Sequence, residues 1–437
     1  MTEMNRRKAF MMMGGVGAAG LIASKAQAAT KSALHPLWPD LSPNLASRPY
    51  PELLRPLPEG KITGNRKFGY AIIGLGKYAI NQILPAFAES RYCRVTALVS
   101  GDPKKASRVA DTYGIDQKNI YNYDNFDEIK NNPDVDAVYI ILPNSLHCEM
   151  TLRAFRAGKH VMCEKPMAVS VAECDKMIAA SKKAGKYLTI GYRCHYDALT
   201  RHMVGMLDQG ILGKPRMIAT QNNDIARPDD VAQQWRFTKK LAGGGSLMDL
   251  GIYGVNGARY LSNEDPIAVS AYITPNPSKV FSQVEDTISW TMHYASGLVA
   301  QGGSSFSTFT TSRFSLAGEK ATVLVDPATS YWNNHVNLCL SGDTHTWEQP
   351  MFTKSALDQF SSQLDALPLA IYNKQPTAGT GEEGRRDVQI IMAIYESAKN
   401  GGKMVDVSKG ANWAKEVYGK NGLWTALTQP LVTELSK

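Results

Sequence analysis

One short passage, Gly74-Leu75-Gly76-Lys77-Tyr78-Ala79, limits what this chain can fold into more than any other. It follows Phe68 to Ile73, an apolar run that reads as a buried strand. It opens Lys77 to Glu89, which carries helical periodicity around Pro85. In a G-x-G-x-x-A loop between strand and helix, the first glycine permits a tight turn. The second lets a pyrophosphate approach the backbone, and the small last residue lets the helix lie close to the strand. Amide donors at the helix N-terminus then face an anion. The pattern alone also suits a structural turn; its strand–helix setting points to a dinucleotide.

The alternation continues. Arg94 to Ser100, Val135 to Leu142, His160 to Cys163 and Leu188 to Tyr192 read as strands. Pro103 to Tyr113, Ser145 to Ala157 and Glu173 to Ala184 read as helices between them. This rhythm predicts a doubly wound parallel sheet. Beyond about Tyr196 it changes. Lys214 to Asn222, Ile267 to Thr274, Thr287 to Tyr294, Leu298 to Ser305, Arg313 to Ala317 and Ala321 to Val325 read as strands without intervening helices. They predict an antiparallel sheet. Two late helices, about Ser355 to Asn373 and Glu382 to Lys399, are expected to return toward the first domain. The fold class is therefore α/β. A doubly wound parallel domain is expected over residues 66–195, and an α+β domain with a large, mainly antiparallel sheet over 196–437. A chain of 437 residues is too long for one ordinary core, which agrees with two domains.

The N-terminus is of another kind. Asn5 to Phe10 contains the pair Arg6-Arg7, Met11 to Ile22 is a short glycine-rich apolar run, and Ala26-Gln27-Ala28 offers a small-residue cleavage site. Residues 1–28 thus resemble a twin-arginine export signal, although Phe10 sits one place further from Arg7 than the usual pattern; a disordered basic tail is the alternative. The run is too short to span a membrane. A periplasmic address, reached through twin-arginine export machinery and without stable membrane association, is the expectation. Cleavage after Ala28 would remove Arg6, Arg7, Lys8 and Lys25 with Glu3, reducing the formal charge of +8 to a mild excess. No dense basic stripe remains to suggest nucleic acid. Residues 29–65 hold Pro36, Pro39, Pro43, Pro49, Pro51, Pro56 and Pro58, an extended arm or tether. Trp38, Tyr50 and several leucines suggest that the arm packs on something, such as a neighbouring subunit. The six cysteines form no C-x-x-C pair and sit mostly in apolar segments, so burial is expected rather than a metal site or disulfides.

Chemistry concentrates where strands end. His160-Val161-Met162-Cys163-Glu164-Lys165-Pro166 places a charged pair at the carboxyl end of a buried strand, where ligands bind in open α/β sheets. After the second strand the chain reads Val99-Ser100-Gly101, with Lys104, Lys105 and Arg108 following. A carboxylate there would accept the ribose hydroxyls of NAD; a serine and ammonium groups suit the 2′-phosphate of NADP. His147 follows Pro143-Asn144-Ser145-Leu146 at the end of another strand, beside Leu142. Leu142, Asn144 and His147 are candidates for the nicotinamide side.

With these motifs in register, the chain resembles the Gfo/Idh/MocA oxidoreductases, which have a Rossmann domain. Gly191 to Asp197, Ala232 to Arg236, Gly243 to Gly254 and Gly381 to Gly384, with the export signal and arm, resemble the glucose–fructose oxidoreductase branch. The resemblance implies that Lys165 stabilises charge on the reacting sugar oxygen. It implies that Tyr253 is the general acid/base, its phenol lowered by Lys165, and that Asp249 positions the sugar or Tyr253. Asp249 and Tyr253 lie four apart on an expected helix; a helix-start carboxylate is the bland reading of Asp249. Cofactor contacts are expected from Gly74, Leu75, Gly76, Lys77, Tyr78, Ser100, Lys105, Leu142, Asn144, His147, Glu164, Lys165, Arg193, Trp235 and Arg236. Sugar contacts are expected from Lys165, His195, Tyr196, Asp249 and Tyr253, with a structural role for His195 equally open.

The resemblance implies a tightly bound NADP, glucose and fructose as donor and acceptor, and a dimer or tetramer with arm exchange. Rival readings are an aldose–aldose oxidoreductase or other sugar dehydrogenase of the same family, then an NAD-dependent glycosidase and a non-catalytic sugar or NADP sensor. Glu164-Lys165-Pro166 and Ser100, in place of an NAD-binding carboxylate, argue against the glycosidase, and the intact Lys165 and Tyr253 argue against the sensor.

Overall fold

The computed structural model describes residues 66–331, 334–340, 347–349 and 358–428. The expected export signal and proline-rich arm lie outside the described residues.

The first sheet has six strands: β1 (Phe68–Ile73), β2 (Cys93–Val99), β3 (Ile120–Tyr121), β4 (Ala137–Ile140), β5 (His160–Cys163) and β6 (Leu188–Ile190). They run in the order β3-β2-β1-β4-β5-β6. All pair in parallel. The order reverses between β1 and β4, and crevices at such switch points take ligands. The two faces of β1 show why helices cover both sides. Ala71 and Ile73 join one buried cluster with Val138, Ala154 and Met177, while Tyr70 and Ile72 join another with Phe360, Leu364 and Leu367. A strand buried on both faces reads as a continuous apolar run, as this one does.

The helices begin and end at recognisable signals. In α1 (Pro103–Tyr113), Asp102 accepts the Lys105 amide at 2.9 Å, Pro103 fills the first turn and Gly114 closes it at φ 65°. α2 (His147–Arg156) follows a 3₁₀ turn over Asn144–Leu146, and α3 (Val171–Ala184) is capped by Ser170 and Gly185. The helix expected over Lys77 to Glu89 is shorter, a π turn over Ala79–Ile83 followed by Leu84–Ala86.

The second sheet has nine strands: β7 (Pro215–Asn223), β8 (Pro266–Ile273), β9 (Thr287–Tyr294), β10 (Val299–Ser305), β11 (Thr311–Gly318), β12 (Ala321–Val325), β13 (Val336–Leu340), β14 (Trp347–Gln349) and β15 (Val405–Asp406). Two details depart from the sequence reading. The sheet is mixed, because β7 and β10 pair in parallel. The strands are also not consecutive: α5 (Ile252–Ser262) comes between β7 and β8, and α4 (Ala198–Asp208), absent from the reading, precedes β7. Asp197 caps α4 by accepting the Thr200 amide at 2.9 Å.

The late helices do return. From α6 (Asp358–Asn373), the Leu364 carbonyl accepts the Tyr70 hydroxyl at 3.0 Å, and Asp365 accepts the amides of Arg91 and Tyr92. α7 (Gly381–Lys399) packs on α3 and β8. It also packs on α5, the helix carrying Tyr253, and on β6.

Candidate active site

The glycine loop has the geometry its sequence requires. Gly74 sits at φ 93°, and a Cβ there would lie 2.3 Å from the Ile141 carbonyl oxygen. A Cβ built on Gly76 meets no atom within 4 Å, so the backbone there is open to a ligand. Leu75 is buried beneath it. Lys77 pairs with Asp230 at 2.6 Å, drawing the segment after β7 across the loop. Tyr78 packs its ring on Phe360 at 5.9 Å. Ser100 accepts the Asp102 amide at 3.1 Å, and the Asp102 carboxylate is engaged by the start of α1, with Lys105 half-buried beside it. These residues fit a dinucleotide: an open backbone cradle, a hydroxyl at the end of β2 and ammonium groups beyond it.

Two other candidates are committed to the protein itself. Both ring nitrogens of His147 lie 2.9 Å from carbonyl oxygens, those of Leu142 and Pro166. The ring is fully buried, burial lowers its basicity, and it staples the loop after β4 to the loop after β5. The Asn144 side-chain amide donates to the Ala242 carbonyl at 2.8 Å.

At the end of β5 the two charges separate. Glu164 turns inward: the Tyr139 hydroxyl donates to it, Gln363 donates to Tyr139 at 2.7 Å, and the Lys165 amide donates to it at 3.2 Å. Burial pushes its carboxyl up, against Tyr139 and Lys165. Gly191 must lack a side chain, since a Cβ there would lie 2.7 Å from the Glu164 carboxylate. Lys165 points outward. Its ammonium donates to the Asp249 carbonyl at 2.6 Å, lies 3.5 Å from the Asp249 carboxylate, and stands 4.5 Å from the centre of the Tyr253 ring. Arg236 donates to the other Asp249 oxygen at 2.8 Å and stacks on Trp235 at 4.6 Å. Burial opposes ionisation of Asp249, but Arg236 and Lys165 outweigh it and hold the carboxyl below its usual range.

Asp249 sits on a π turn, Leu247–Gly251, that runs into α5, where Tyr253 is the second residue. Asp249 lies in the first turn, but the carboxylate that accepts the amides at its start is Glu285. Glu285 accepts the amides of Gly245 at 2.9 Å and Leu247 at 3.0 Å, and the Tyr395 hydroxyl at 2.8 Å. This explains the glycines: a Cβ on Gly244 would lie 2.1 Å from the Tyr395 hydroxyl, and one on Gly245 would lie 1.8 Å from the Glu285 carbonyl oxygen. The sequence reading missed Glu285, which is remote in the chain and carries no local signal.

The Tyr253 phenol corrects an expectation. Burial pushes it up to about 12, and the main influence against burial is the Arg193 guanidinium, not the Lys165 ammonium. Arg193 lies 5.0 Å from the centre of the same ring. His195 and Tyr196 leave the site. His195 is fully buried, with its ring nitrogens 3.2 Å from the Ala378 carbonyl oxygen and 2.9 Å from the Asn256 side-chain oxygen. Tyr196 is a core residue, 3% exposed. Among the described residues no group of side chains could hold a metal ion, all cysteines are unpaired, and five of the six are buried. No described helix is long and apolar enough to cross a membrane.

The brought-together set is thus Lys165, Asp249, Tyr253, Arg236 and Arg193, below an open glycine loop. A family model described as an oxidoreductase family NAD-binding Rossmann fold matches residues 68–192. A second, described as the oxidoreductase family C-terminal alpha/beta domain, matches residues 204–407. This chain belongs to the Gfo/Idh/MocA oxidoreductase family. It is an NAD(P)-dependent oxidoreductase whose first sheet is the dinucleotide-binding domain.

Similar family members deal in sugars. A structure of aldose–aldose oxidoreductase from Caulobacter crescentus, complexed with glycerol, shares 44% identity and a TM-score of 0.72, covering 78% of this chain and 100% of that one. D-xylose 1-dehydrogenase [NADP(+)] of Haloarcula marismortui is 27% identical over 332 residues, 76% of this chain and 91% of the relative. 1,5-anhydro-D-fructose reductase of Ensifer adhaerens is 30% identical over 290 residues, 63% of this chain and 81% of the relative.

Proposed function

We propose that this chain is an NADP-dependent aldose oxidoreductase that passes hydride from one aldose to a second. The observation that carries the reading is the Lys165 ammonium 4.5 Å from the Tyr253 ring at the carboxyl end of β5. The 44% identity to an aldose–aldose oxidoreductase supports the substrate class and favours an aldose acceptor over the fructose expected from the glucose–fructose resemblance. NADP, when bound, accepts hydride in one half-reaction and donates it in the other. Gly74 to Tyr78 would hold its pyrophosphate, and Ser100 with Lys105 its 2′-phosphate.

The protein's own part is proton and charge handling. As the C1 hydroxyl of an aldose is oxidised, Tyr253 takes its proton while Lys165 stabilises the developing alkoxide. Asp249, clamped by Arg236, holds Lys165 against the Tyr253 ring. In the second half-reaction Tyr253 returns the proton to the oxygen of the acceptor's carbonyl, giving an alditol. Glu164 anchors the corner from beneath. The twin-arginine-like signal and the proline-rich arm support an exported protein that keeps its cofactor bound.

The test is absorbance at the reduced-nicotinamide band. Glucose added to protein loaded with NADP⁺ is expected to raise it, and a second aldose to discharge it. No change with any aldose, or discharge by fructose alone, contradicts the reading.

A further inference from the structure

Arg193 is buried in an unusual way. It is 3% exposed, yet no carboxylate among the described residues forms an ion pair with it. Its guanidinium donates to three neutral oxygens: the Gln359 side chain at 2.6 Å, the Ser330 carbonyl at 3.3 Å and the Thr329 carbonyl. Its Nε has no partner among the described residues. The group stands 5.0 Å from the Tyr253 ring centre, 4.7 Å from Tyr331 and 5.9 Å from Phe360. A buried cation without a direct ion-pair partner is costly, and here the carboxylates of Glu164 and Asp197 feel its charge without pairing with it.

We propose that Arg193 is the positioning cation for Tyr253, a full buried charge kept unpaired so that it stabilises the phenolate when the proton leaves. The inference rests on Tyr253 acting as acid/base. Lys165 touches the same ring but is bound to Asp249, so much of its field on the phenol is cancelled. The other ionisable groups near Tyr253 are Asp249 on the preceding turn, Glu164 from the end of β5, Cys194 beside Arg193, and the phenols of Tyr78 and Tyr331. Of these, the acidic groups raise the cost of a phenolate, and Arg193, with Glu164 and Asp197 near it but no ion pair among the described residues, is the cation that opposes them. An opposite charge within about 4–6 Å shifts a titrating group by about 1–3 pH units.

The test reads the phenol directly. Full-length protein saturated with NADP⁺, with difluorotyrosine in place of Tyr253, is titrated by fluorine NMR; fluorination brings the ionisation into the stable range of the fold. Arg193→Gln is expected to raise the midpoint by about one unit or more, a tenfold change. Arg193→Lys, which keeps the charge, is expected to raise it by less than half as much. Gln359→Glu leaves Arg193 in place but gives it a carboxylate, so it too should raise the midpoint. The proposal fails if Arg193→Gln leaves the midpoint unmoved or the Lys and Gln variants shift it equally. A midpoint unmoved or lowered in Gln359→Glu also overturns it, which decides the matter should Arg193→Gln not fold. A protein that moves no hydride would sink the functional reading, while the fluorine midpoint still judges Arg193.

Discussion

Two clusters of buried charge lie along α5, and they are built on opposite rules. On the far side, Arg259 pairs with Asp265 at 2.6 Å and with Asp387, and Arg386 pairs with Asp265 at 3.0 Å. His195 lies 3.3 Å from Glu383, and Asn256 bridges Glu383 and Asp387 at 2.8 and 3.0 Å. Every arginine there faces an aspartate, and every member is buried. Arg259 also leaves one amine unbonded, but its charge is matched twice. On the near side, Lys165 and Arg236 share Asp249, Arg193 has no ion pair among the described residues, and Lys165, Arg236 and Asp249 are half-buried. The same residue types fasten the fold in one place and leave positive potential in the other. Compensation, not burial or identity, separates structure from chemistry.

The largest expected effect breaks the near side. Lys165→Met should lower single-turnover sugar oxidation by about 10²–10³-fold, the scale for losing a preorganised charge at a developing oxyanion. Chemical denaturation should show almost unchanged stability. Asp387→Asn should do the reverse: it leaves buried Arg259 half-matched and should cost about 3–5 kcal/mol in denaturant unfolding. Its rate of hydride transfer, in the fraction that is folded, should fall far less than that of Lys165→Met. If both variants lose stability and rate alike, the distinction between the clusters collapses.

The smallest effect is acid titration, followed by carbon-13 NMR of the carboxyl groups. Asp249 is held low, so its contribution to stability is full above its unfolded pKa of about 4 and is lost only as pH falls through the lower folded value. Burial raises Glu383, against His195 and Arg259, so the folded state binds its proton more readily, and its ionisation costs stability as pH rises through that window. Asp249 should titrate below the ordinary aspartate range and Glu383 above the ordinary glutamate range. The opposite order would contradict the account.

How far the sequence shows this depends on the range of each interaction. The strand and glycine loop at Gly74, the helix over Pro103–Tyr113 and the Glu164-Lys165-Pro166 corner are local, and each stands where it was expected. Lys165, Asp249 and Tyr253 come together because the family resemblance joined them across 84 residues. The parallel pairing of β7 with β10 has no local signature, since strand order in a sheet is set by tertiary packing. Charge compensation is equally remote: Arg259 meets Asp387 across 128 residues. Arg193, His195 and Tyr196 therefore fall in one motif, read as a cofactor contact at Arg193 and sugar contacts at His195 and Tyr196. Only the fold shows that His195 and Arg193 face opposite clusters. α4 was within reach, because Asp197 is an ordinary cap followed by an apolar helical pattern.

The central claim is that the Lys165–Tyr253 corner carries hydride from one aldose to another. The direct measurement is product balance with a single aldose, xylose, and purified protein holding NADP. The account predicts xylonate and xylitol in equal amounts with no net consumption of cofactor. Xylonate alone with accumulating reduced cofactor, or no product until fructose is added, would contradict it.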